Sequence, residues 1–368
     1  MESISKTMAN LGHDVTMVTS GAKNKRYYEG NVRVVQVGEV EALSKKYKIF
    51  NPLYVFRRIS YMLKAAQYIL ENSFDIVESA DGGFEHLFLL FFRRSPLVVR
   101  LHGTVAFRSS VRLPGFVSWF VKFFERFCLL KSDGIIAPTR SYWKYSRNLY
   151  KISHRKVSVI PNGIHMNRSC MAVDVRQKYN LQNRKIVLYC ATLEWRKGFD
   201  ILLRLAERFR YRNDLAFVVL GKMNSKYDCL EESKSILYLG HRPSDEVLAF
   251  YQACDLFFTP SRLEAGPLNV IEAIACGKPI LGSNALGVKD EIEDRRNGLL
   301  FEINDENDVF NKFEKMIDDP ELLKRFSNES LSLKSNYDIT HIAKLMEHFY
   351  QQIISEWTKR YKLAPFWP

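Results

Sequence analysis

The sequence predicts an α/β protein with two doubly wound domains. Short runs rich in Val and Ile alternate with helical stretches along the chain. The runs lack strict alternation of apolar and polar residues, which is typical of parallel strands buried on both faces. At 368 residues the chain is too long for one typical core. Two successive arrays of strands and helices therefore predict two parallel sheets that face each other across a cleft.

The predicted strands share this short, apolar character. In the first half they are Val15–Thr19, Val32–Val37, Asp75–Glu78, Leu97–Leu101, Gly134–Ala137 and Val157–Ile160. In the second half they are Ile186–Cys190, Ala216–Leu220, Ile236–Leu239, Asp255–Phe258, Pro279–Leu281 and Gly298–Phe301. Helices are predicted between them, at residues 52–71, 199–210, 244–253, 267–276, 306–317 and 320–327.

The boundary between the domains is predicted after the strand that ends at Ile160, where turn residues follow. This gives a first domain at 1–163 and a second at 164–337. The remaining segment, 338–368, contains a final helix that is expected to cross back toward the first domain.

The start of the chain departs from a doubly wound pattern. A helix with Ile4, Met8 and Leu11 on one face opens the sequence, and Gly12 closes it. Such a domain normally begins with a strand and a glycine-rich turn. The first strand of the first domain is therefore apparently missing, and a late start of the sequence is the favoured explanation.

Positive charge is concentrated in the first half of the chain. Residues 1–160 contain 25 Lys and Arg against 12 Asp and Glu, a net charge of +13, whereas residues 161–368 contain 29 of each. This asymmetry favours an anionic partner such as phospholipid head groups, a lipid diphosphate or nucleic acid. Simple solubilisation is the alternative, and nothing beyond basicity supports nucleic acid.

The cysteines and the hydropathy pattern indicate a cytoplasmic protein. Six cysteines are scattered without a C-x-x-C pair or metal-ligand spacing, so we expect reduced thiols. No signal peptide opens the chain, and no apolar run reaches the length of a membrane span.

The most informative segment runs from Pro260 to Pro279. A helix that starts at Pro267 leaves the N–H groups of Leu268 and Asn269 unpaired at the positive end of its dipole, a seat for phosphate. Glu264 precedes this seat, and Glu272 lies inside the helix. The carboxylates can then hold hydroxyls on either side of a bound phosphate, which is the layout of a nucleotide sugar.

This segment resembles the signature of the family 4 retaining glycosyltransferases, which have the GT-B fold. Other family motifs occur in the expected order across nearly the whole chain. These motifs are Leu11–Thr19, Val98–Gly103, Val159–Ile164, Leu193–Asp200 and Asn297–Leu300. The resemblance implies two Rossmann-like domains, the first taking the acceptor and the second the nucleotide.

The resemblance also implies roles for single residues. Lys197 would neutralise the leaving diphosphate, Glu264 would hold hydroxyls of the donor sugar, and His102 would face that sugar as a third catalytic residue. Further donor-binding residues would hold the ribose, the base and the phosphates; they are Glu272, Gly266, Leu268, Asn269, Arg196, Thr192, His241 and Arg242. No metal and no cofactor are expected, because cations and a helix dipole meet the leaving-group charge and no Asp-x-Asp pair is present.

One departure from the family pattern concerns catalysis. The family usually has Arg five residues before its Lys, and this chain has Thr192 there. Half of the cationic clamp is then missing unless Arg196 replaces it. A non-catalytic GT-B remnant or partner-binding subunit is therefore the alternative, with a sugar phosphorylase or nucleotide-sugar epimerase as a minor option.

An aromatic stretch between Pro114 and Phe127 has two interpretations. Phe116, Trp119, Phe123 and Phe127 follow helical spacing, with basic residues at neighbouring positions. The stretch is either a helix packed on its own sheet or an interfacial helix on an anionic bilayer.

Together these features predict a metal-independent, retaining glycosyltransferase of hexosyltransferase type. It would transfer sugar from a nucleotide-diphosphate sugar to a lipid-linked or polysaccharide acceptor in cell-surface glycan biosynthesis, such as lipopolysaccharide assembly. The enzyme would be cytoplasmic and peripheral on an anionic membrane, without a nucleic-acid partner.

Overall fold

The computed structural model describes residues 2–21, 24–38, 52–82, 84–108, 115–153, 156–166, 173–223 and 235–362. The chain forms two compact units. The first contains the chain up to Pro138, residues 145–160 and the chain from Ile342 onward, and the second contains residues 139–144 and 161–341. The sequence had placed residues 139–144 and 161–163 in the first domain, and residues 338–341 in the final segment.

The elements of the first unit follow the α/β alternation. Its strands are β1 (Val15–Thr19), β2 (Lys25–Glu29), β3 (Val32–Gln36), β4 (Val77–Ala80), β5 (Leu97–Arg100), β6 (Gly134–Ala137) and β7 (Val157–Val159). Its helices are α1 (Glu2–Asn10), α2 (Pro52–Glu71), α3 (Leu89–Phe92), α4 (Val105–Arg108) and α5 (Gly115–Lys131), and α6 (Arg140–Tyr150) contributes residues to both units.

The strands of the first unit form two separate sheets. One has the order β1-β3-β2, with β1 parallel and β2 antiparallel to β3, and the other is the parallel sheet β4-β5-β6-β7. In the usual doubly wound order 3-2-1-4, the first strand lies between the second and the fourth. Among the described residues no strand precedes α1, and β1 and β4 do not pair with each other. The absence of a first strand from this domain stays a prediction.

The final helix, α14 (Ile339–Lys362), contributes to the core of the first unit. Ile342, Met346 and Phe349 pack with Val98 of β5 and Ile136 of β6, and all five side chains are buried. Burial of aliphatic and aromatic side chains at this site stabilises the unit by the hydrophobic effect.

The second unit holds one parallel sheet of six strands in the order β10-β9-β8-β11-β12-β13. The strands are β8 (Lys185–Cys190), β9 (Leu215–Leu220), β10 (Ile236–Gly240), β11 (Leu256–Thr259), β12 (Ile280–Ser283) and β13 (Gly298–Phe301). The helices are α7 (Val175–Lys178), α8 (Phe199–Arg208), α9 (Ser244–Ala253), α10 (Leu268–Ala275), α11 (Val288–Glu291), α12 (Glu306–Ile317) and α13 (Pro320–Leu333).

Both faces of this sheet are buried, as the unbroken apolar runs predict. Along β8, Val187 and Tyr189 belong to the apolar cluster on one face, while Ile186 and Leu188 belong to the cluster on the other. The two layers of helices cover the sheet and leave the carboxyl ends of its strands for a site.

Every predicted strand is found, with ends that shift by at most two residues. The sequence missed only β2, Lys25-Arg-Tyr-Tyr-Glu29, among the described strands. This edge strand is mostly exposed, so it lacks the apolar run by which the others were recognised. Among the described residues, no helix combines the length and apolarity that crossing a bilayer requires.

A buried carboxyl group lies at the end of α11. Glu291 is 4% exposed and accepts a hydrogen bond from the Tyr337 hydroxyl at 2.7 Å. Burial raises the pKa of Glu291 to about 7, although the tyrosine hydroxyl opposes the shift.

The pKa of Glu291 predicts a pH-dependent stability. Between its ordinary value of 4.5 and about 7, the folded state holds a proton that the unfolded chain releases. The free energy of unfolding therefore falls as pH rises through this window. The free energy of unfolding of Glu291→Gln should equal that of the wild type below this pH window. Above the window it should be larger than that of the wild type by about 3 kcal/mol.

Urea unfolding across the pH series measures this difference. Glu321→Gln, an exposed carboxylate in the first turn of α13, is the control and should give no such pH-dependent gain. A constant offset between Glu291→Gln and wild type at all pH values would contradict the prediction.

Candidate active site

The carboxyl ends of β8 and β11 mark the point where the strand order of the second unit reverses. From β8 the chain runs outward through β9 to β10, and it then returns to β11 on the other side of β8. Ligands of open α/β sheets bind in the crevice at such a reversal. The segments that follow these strands, residues 191–198 and 260–267, contain five of the predicted site residues, which are Thr192, Arg196, Lys197, Glu264 and Gly266.

Gly198 allows these two segments to approach closely. Its φ of +68° lies in the left-handed region, and a Cβ at this position would be 1.9 Å from the carbonyl oxygen of Pro260. Nearby, the N–H of Arg262 donates to the carbonyl of Arg196 at 2.8 Å. Any side chain at position 198 would therefore force the segments apart.

The close approach brings three predicted residues together. The Lys197 ammonium group pairs with one carboxylate oxygen of Glu264, and the Arg196 guanidinium lies 3.7 Å from the other. The Glu264 side chain is only 10% exposed. Because an unpaired buried carboxylate is costly, both cations stabilise the Glu264 carboxylate. The roles of these residues in sugar transfer stay predictions.

A second ion pair connects the same segments, and the sequence analysis missed it. Arg262 donates to both carboxylate oxygens of Asp200, at 2.6 and 2.8 Å, and its guanidinium lies 4.4 Å from the ring centre of Trp195. Burial opposes ionisation of Asp200, but Arg262 lowers the net pKa of this carboxyl group below its ordinary value. The only sequence signal was the opposite charge of two residues that flank the predicted site.

The N-terminus of α10 presents the expected amide groups. The sequence predicted that Pro267 is the first residue of this helix. In the structure the helix begins at Leu268, and Pro267 is its N-cap in an extended conformation. Within the described residues, the N–H groups of Leu268 and Asn269 make no backbone hydrogen bond. They lie at the positive end of the helix dipole, where an anion binds favourably.

Hydrogen bonds fix the turn that leads into α10. The Thr139 hydroxyl donates to the carbonyl of Ala265 at 2.8 Å, and the Asn162 amide donates to the carbonyl of Gly266 at 3.1 Å. The Asn269 amide donates to the carbonyl of Cys190 at 3.2 Å, which connects the helix start to the end of β8. Sequence reasoning had not assigned Thr139 or Asn162 to the site, because their bonds reach over 100 residues along the chain.

Glu272 lines a cavity of about 250 Å³ within the second unit. Tyr251, His165 and Cys276 also contribute to its wall. Burial, together with the charge of Glu272, raises the pKa of the neighbouring Cys190 thiol to about 12, so this thiol stays neutral. A half-buried carboxylate at a cavity wall is suited to accept hydrogen bonds from a pair of hydroxyl groups.

Three further predicted donor-binding residues follow β8 and β10. Thr192 is exposed, and its carbonyl accepts from the Tyr189 hydroxyl at 3.2 Å; the same hydroxyl lies 3.3 Å from the carbonyl of Lys197. His241 and Arg242 follow β10, and Arg242 lies 3.9 Å from Glu246. Neither His241 nor Arg242 lines the cavity beside Glu272. Their assignment to base binding stays a prediction.

His102 belongs to the first unit, where it follows β5. Its N–H and that of Gly103 donate to the two carboxylate oxygens of Asp81, at 3.0 and 3.2 Å. Asp81 is 5% exposed and was not recognised from the sequence. It fixes the backbone that carries the imidazole, and the catalytic role of His102 is untested.

The comparison with protein families covers almost the whole chain in two parts. The model described as Glycosyltransferase Family 4 matches residues 1–168, and the model described as Glycosyl transferases group 1 matches residues 173–332. The chain belongs to the family 4, group 1 glycosyltransferases. A similar curated protein is the N,N'-diacetylbacillosaminyl-diphospho-undecaprenol alpha-1,3-N-acetylgalactosaminyltransferase of Campylobacter jejuni. The two sequences are 24% identical over 321 residues, and the match covers 83% of each chain.

Solved structures place this glycosyltransferase in the GT-B fold. The sucrose-phosphate synthase of Thermosynechococcus elongatus matches with a TM-score of 0.76 at 19% identity, covering 96% of this chain and 92% of that one. HepE of Anabaena, solved in complex with UDP, matches with a TM-score of 0.70 at 17% identity, covering 92% and 100%. At these identities the likeness shows the fold alone.

No cluster of three or more His, Cys, Asp or Glu side chains suited to a metal ion occurs in the part of the chain that the structure describes. The positive groups near Glu264 are side-chain cations and the helix N-terminus. Independence from metal stays a prediction for this glycosyltransferase.

The contact between Gly198 and Pro260 predicts a large cost for a single methyl group. Gly198→Ala should destabilise the protein by about 3 kcal/mol or more, because strain at positive φ adds to overlap with a backbone oxygen. Gly30→Ala is a matched control, since Gly30 also has positive φ but has no atom within 4 Å of the point that the added methyl carbon would occupy.

Urea unfolding compares the two variants. Gly30→Ala should cost only the conformational strain, about 1 kcal/mol. Equal destabilisation by the two substitutions would show that the close approach at Gly198 is unimportant.

Proposed function

We propose that this protein transfers a sugar from a nucleotide-diphosphate sugar to a lipid-linked or polysaccharide acceptor, with retention of anomeric configuration, in cell-surface glycan biosynthesis. The supporting observation is the convergence of Lys197, Glu264 and the open N-terminus of α10 at the strand-order reversal. Family membership supports the reaction class, and the lipid diphosphate in the name of the Campylobacter relative supports the acceptor class.

Binding of the donor would replace the ion pair between Lys197 and Glu264. The donor phosphates bind Lys197 and the N–H groups of Leu268 and Asn269, which frees the Glu264 carboxylate to accept hydrogen bonds from sugar hydroxyls. Glu272 accepts from the ribose hydroxyls at the cavity wall. Each charge that loses a partner in this exchange gains another, so donor binding leaves no buried ion unpaired.

Retention is proposed through attack on the face from which the leaving group departs. The acceptor oxygen bonds to the anomeric carbon as the bond from that carbon to the diphosphate oxygen breaks, and the acceptor proton passes to the departing diphosphate. Lys197 and the dipole of α10 stabilise the developing negative charge, and we propose that no metal ion is required.

Arg196 is proposed as the second cation of this clamp. Thr192 offers no charge at the position where relatives usually have Arg, whereas the Arg196 guanidinium already lies 3.7 Å from Glu264. Donor phosphate would compete with that carboxylate for Arg196. A bidentate guanidinium is well suited to phosphate.

We further propose that the enzyme is cytoplasmic and acts at the inner face of a membrane. The basic first half of the chain and a lipid-linked acceptor support this location.

Nucleotide binding tests the donor site directly. UDP or GDP at about 100 times its dissociation constant should stabilise the folded protein by about 2.7 kcal/mol, because only the folded state binds it. Lys197→Gln and Glu272→Gln should each weaken nucleotide binding at least about tenfold, which corresponds to about 1.4 kcal/mol.

Thermal shift titrations measure these affinities, with Lys315→Gln on the surface of the second unit as the control. If neither nucleotide stabilises the wild type, or if Lys197→Gln binds as tightly as Lys315→Gln, the proposed donor site is wrong. Binding that is never followed by donor hydrolysis or transfer would favour the non-catalytic alternative, which the uncharged Thr192 makes a specific second candidate.

The role of Arg196 predicts a kinetic rescue. Arg196→Gln should lower kcat/KM about 100-fold, since one donor to developing charge contributes about 2.7 kcal/mol. Thr192→Arg in the same chain should restore a large part of the loss, because it returns a cation to the position that relatives use.

Donor hydrolysis or sugar transfer by the single and double variants measures the rescue. Arg196→Lys should lose less than Arg196→Gln, because it keeps the charge. Wild-type kinetics in Arg196→Gln would rule out a role in the clamp.

A further inference from the structure

Helices α3 and α5 of the first unit expose a group of large aromatic side chains. We call this surface the aromatic face; its exposed fractions are 62% for Phe91, 70% for Phe92, 76% for Phe116, 61% for Trp119, 47% for Phe120 and 48% for Phe123. Isolated exposed apolar residues are normal on proteins, but a contiguous group marks a site of interaction.

Ring contacts show that these side chains are contiguous. Trp119 stacks on Phe123 at 5.7 Å between ring centres, and Phe116 lies 6.3 Å from Phe120. The two helices are joined by Phe91 of α3, which stacks on the half-buried Phe127 of α5 at 6.0 Å. Phe124 connects the two pairs on α5, because its ring lies 4.6 Å from Phe120 and 5.5 Å from Phe123. Phe127 is one helical turn beyond Phe123, so the exposed rings follow one side of α5 and continue onto α3.

A buried carboxylate fixes the rotation of α5 that exposes these rings. Glu125 is 2% exposed and accepts hydrogen bonds from the Val105 N–H and the Tyr150 hydroxyl, each at 2.6 Å. On the next residue, the Arg126 guanidinium donates to the Tyr150 carbonyl at 2.8 Å. Turning the aromatic side of α5 inward would expose Glu125 and break these bonds. The helix thus buries its charged anchor and presents its apolar side outward.

Positive charges flank the aromatic face. Lys122, Arg126, Lys131 and Arg94 are exposed, and within the described residues none of them forms an ion pair. The nearby acidic residue Asp133 is already paired with Arg93 at 2.5 Å. Exposed aromatic residues bordered by unpaired cations match the interface of a bilayer that contains anionic lipid.

The same charges argue against a second copy of this chain as the occupant. A symmetric dimer would place the aromatic face, and its flanking cations, against themselves. Like charges at such an interface disfavour association. An anionic lipid surface instead pairs the cations and accepts the aromatic rings at the level of the head groups.

We propose that the aromatic face docks on an anionic bilayer, with α5 lying in the plane of the interface. The rings of Trp119, Phe120 and Phe123 enter the boundary between head groups and acyl chains, while Lys122 and Lys131 contact lipid phosphates. This inference rests on the proposed function in that a lipid-linked acceptor gives the enzyme a reason to be at a membrane. It is independent of the donor site.

Vesicle flotation of the full chain tests the docking. The protein should float with phosphatidylcholine vesicles that contain phosphatidylglycerol and much less with phosphatidylcholine alone. Trp119→Ser/Phe123→Ser should reduce the bound fraction at least about tenfold, because two rings leave the interface. The control Tyr211→Ser/Leu345→Ser removes two exposed apolar side chains elsewhere and should float like the wild type.

Charge reversal tests the lipid contact separately. Lys122→Glu/Lys131→Glu should lose the preference for phosphatidylglycerol, whereas Lys315→Glu/Lys324→Glu in the second unit has the same net charge and should keep it. Equal loss in both double variants would mean that only the total charge matters, which would overturn the assignment of the face.

Tryptophan emission locates the contact. Vesicles should shift the emission of the wild type to the blue, and Trp119→Phe should float normally while losing most of that shift. Retention of the full shift in Trp119→Phe would place another tryptophan at the membrane and contradict the proposal.

The donor site provides the measurement that separates the two proposals. Trp119→Ser/Phe123→Ser should keep the nucleotide-dependent thermal shift of the wild type, which also shows that it is folded. Absence of flotation by a wild type that binds nucleotide would refute the membrane docking alone. Dimers that dissociate on Trp119→Ser/Phe123→Ser, without vesicle binding, would identify a second copy as the occupant instead.

Discussion

The close approach of the segments after β8 and β11 is the constraint on which the candidate active site depends. Gly198 has no side chain to keep Pro260 away, and the neighbouring Lys197 therefore reaches a carboxylate that follows the adjacent strand. Glu264 is buried and would be costly without that cation. The same geometry thus stabilises the fold and assembles a cation, a carboxylate and a helix N-terminus in one crevice.

The first unit uses buried carboxylates for a related purpose. Asp81 accepts from two consecutive backbone N–H groups and fixes the turn that carries His102. Glu125 accepts from α4 and α6 and sets the rotation of α5. In both cases an acidic side chain inside the fold determines which chemical groups face outward. Polar anchors of this kind are specific because an unsatisfied buried carboxylate is strongly unfavourable.

The strands and site residues that were predicted correctly from the sequence are marked by patterns of residues close together along the chain. The strands are unbroken apolar runs, and the candidate site was recognised from charged residues placed next to Gly and Pro, as at Glu264 and Lys197. β2 was missed because its charged residues suit an exposed edge rather than a core. Arg262 with Asp200, and Thr139 with Ala265, were missed because each pair is distant along the chain and becomes adjacent only through the order of the strands.

The sequence by itself determined the α/β class, the family, the order of the elements and the chemistry available after β8 and β11. Tertiary structure decided the partners. It placed Arg196 beside Glu264, and it turned Trp119 outward although helical periodicity allowed this residue to face a core. The periodicity of a sequence indicates that a helix has two different faces. Which face is buried depends on the hydrogen bonds that other elements donate, here to the carboxylate of Glu125.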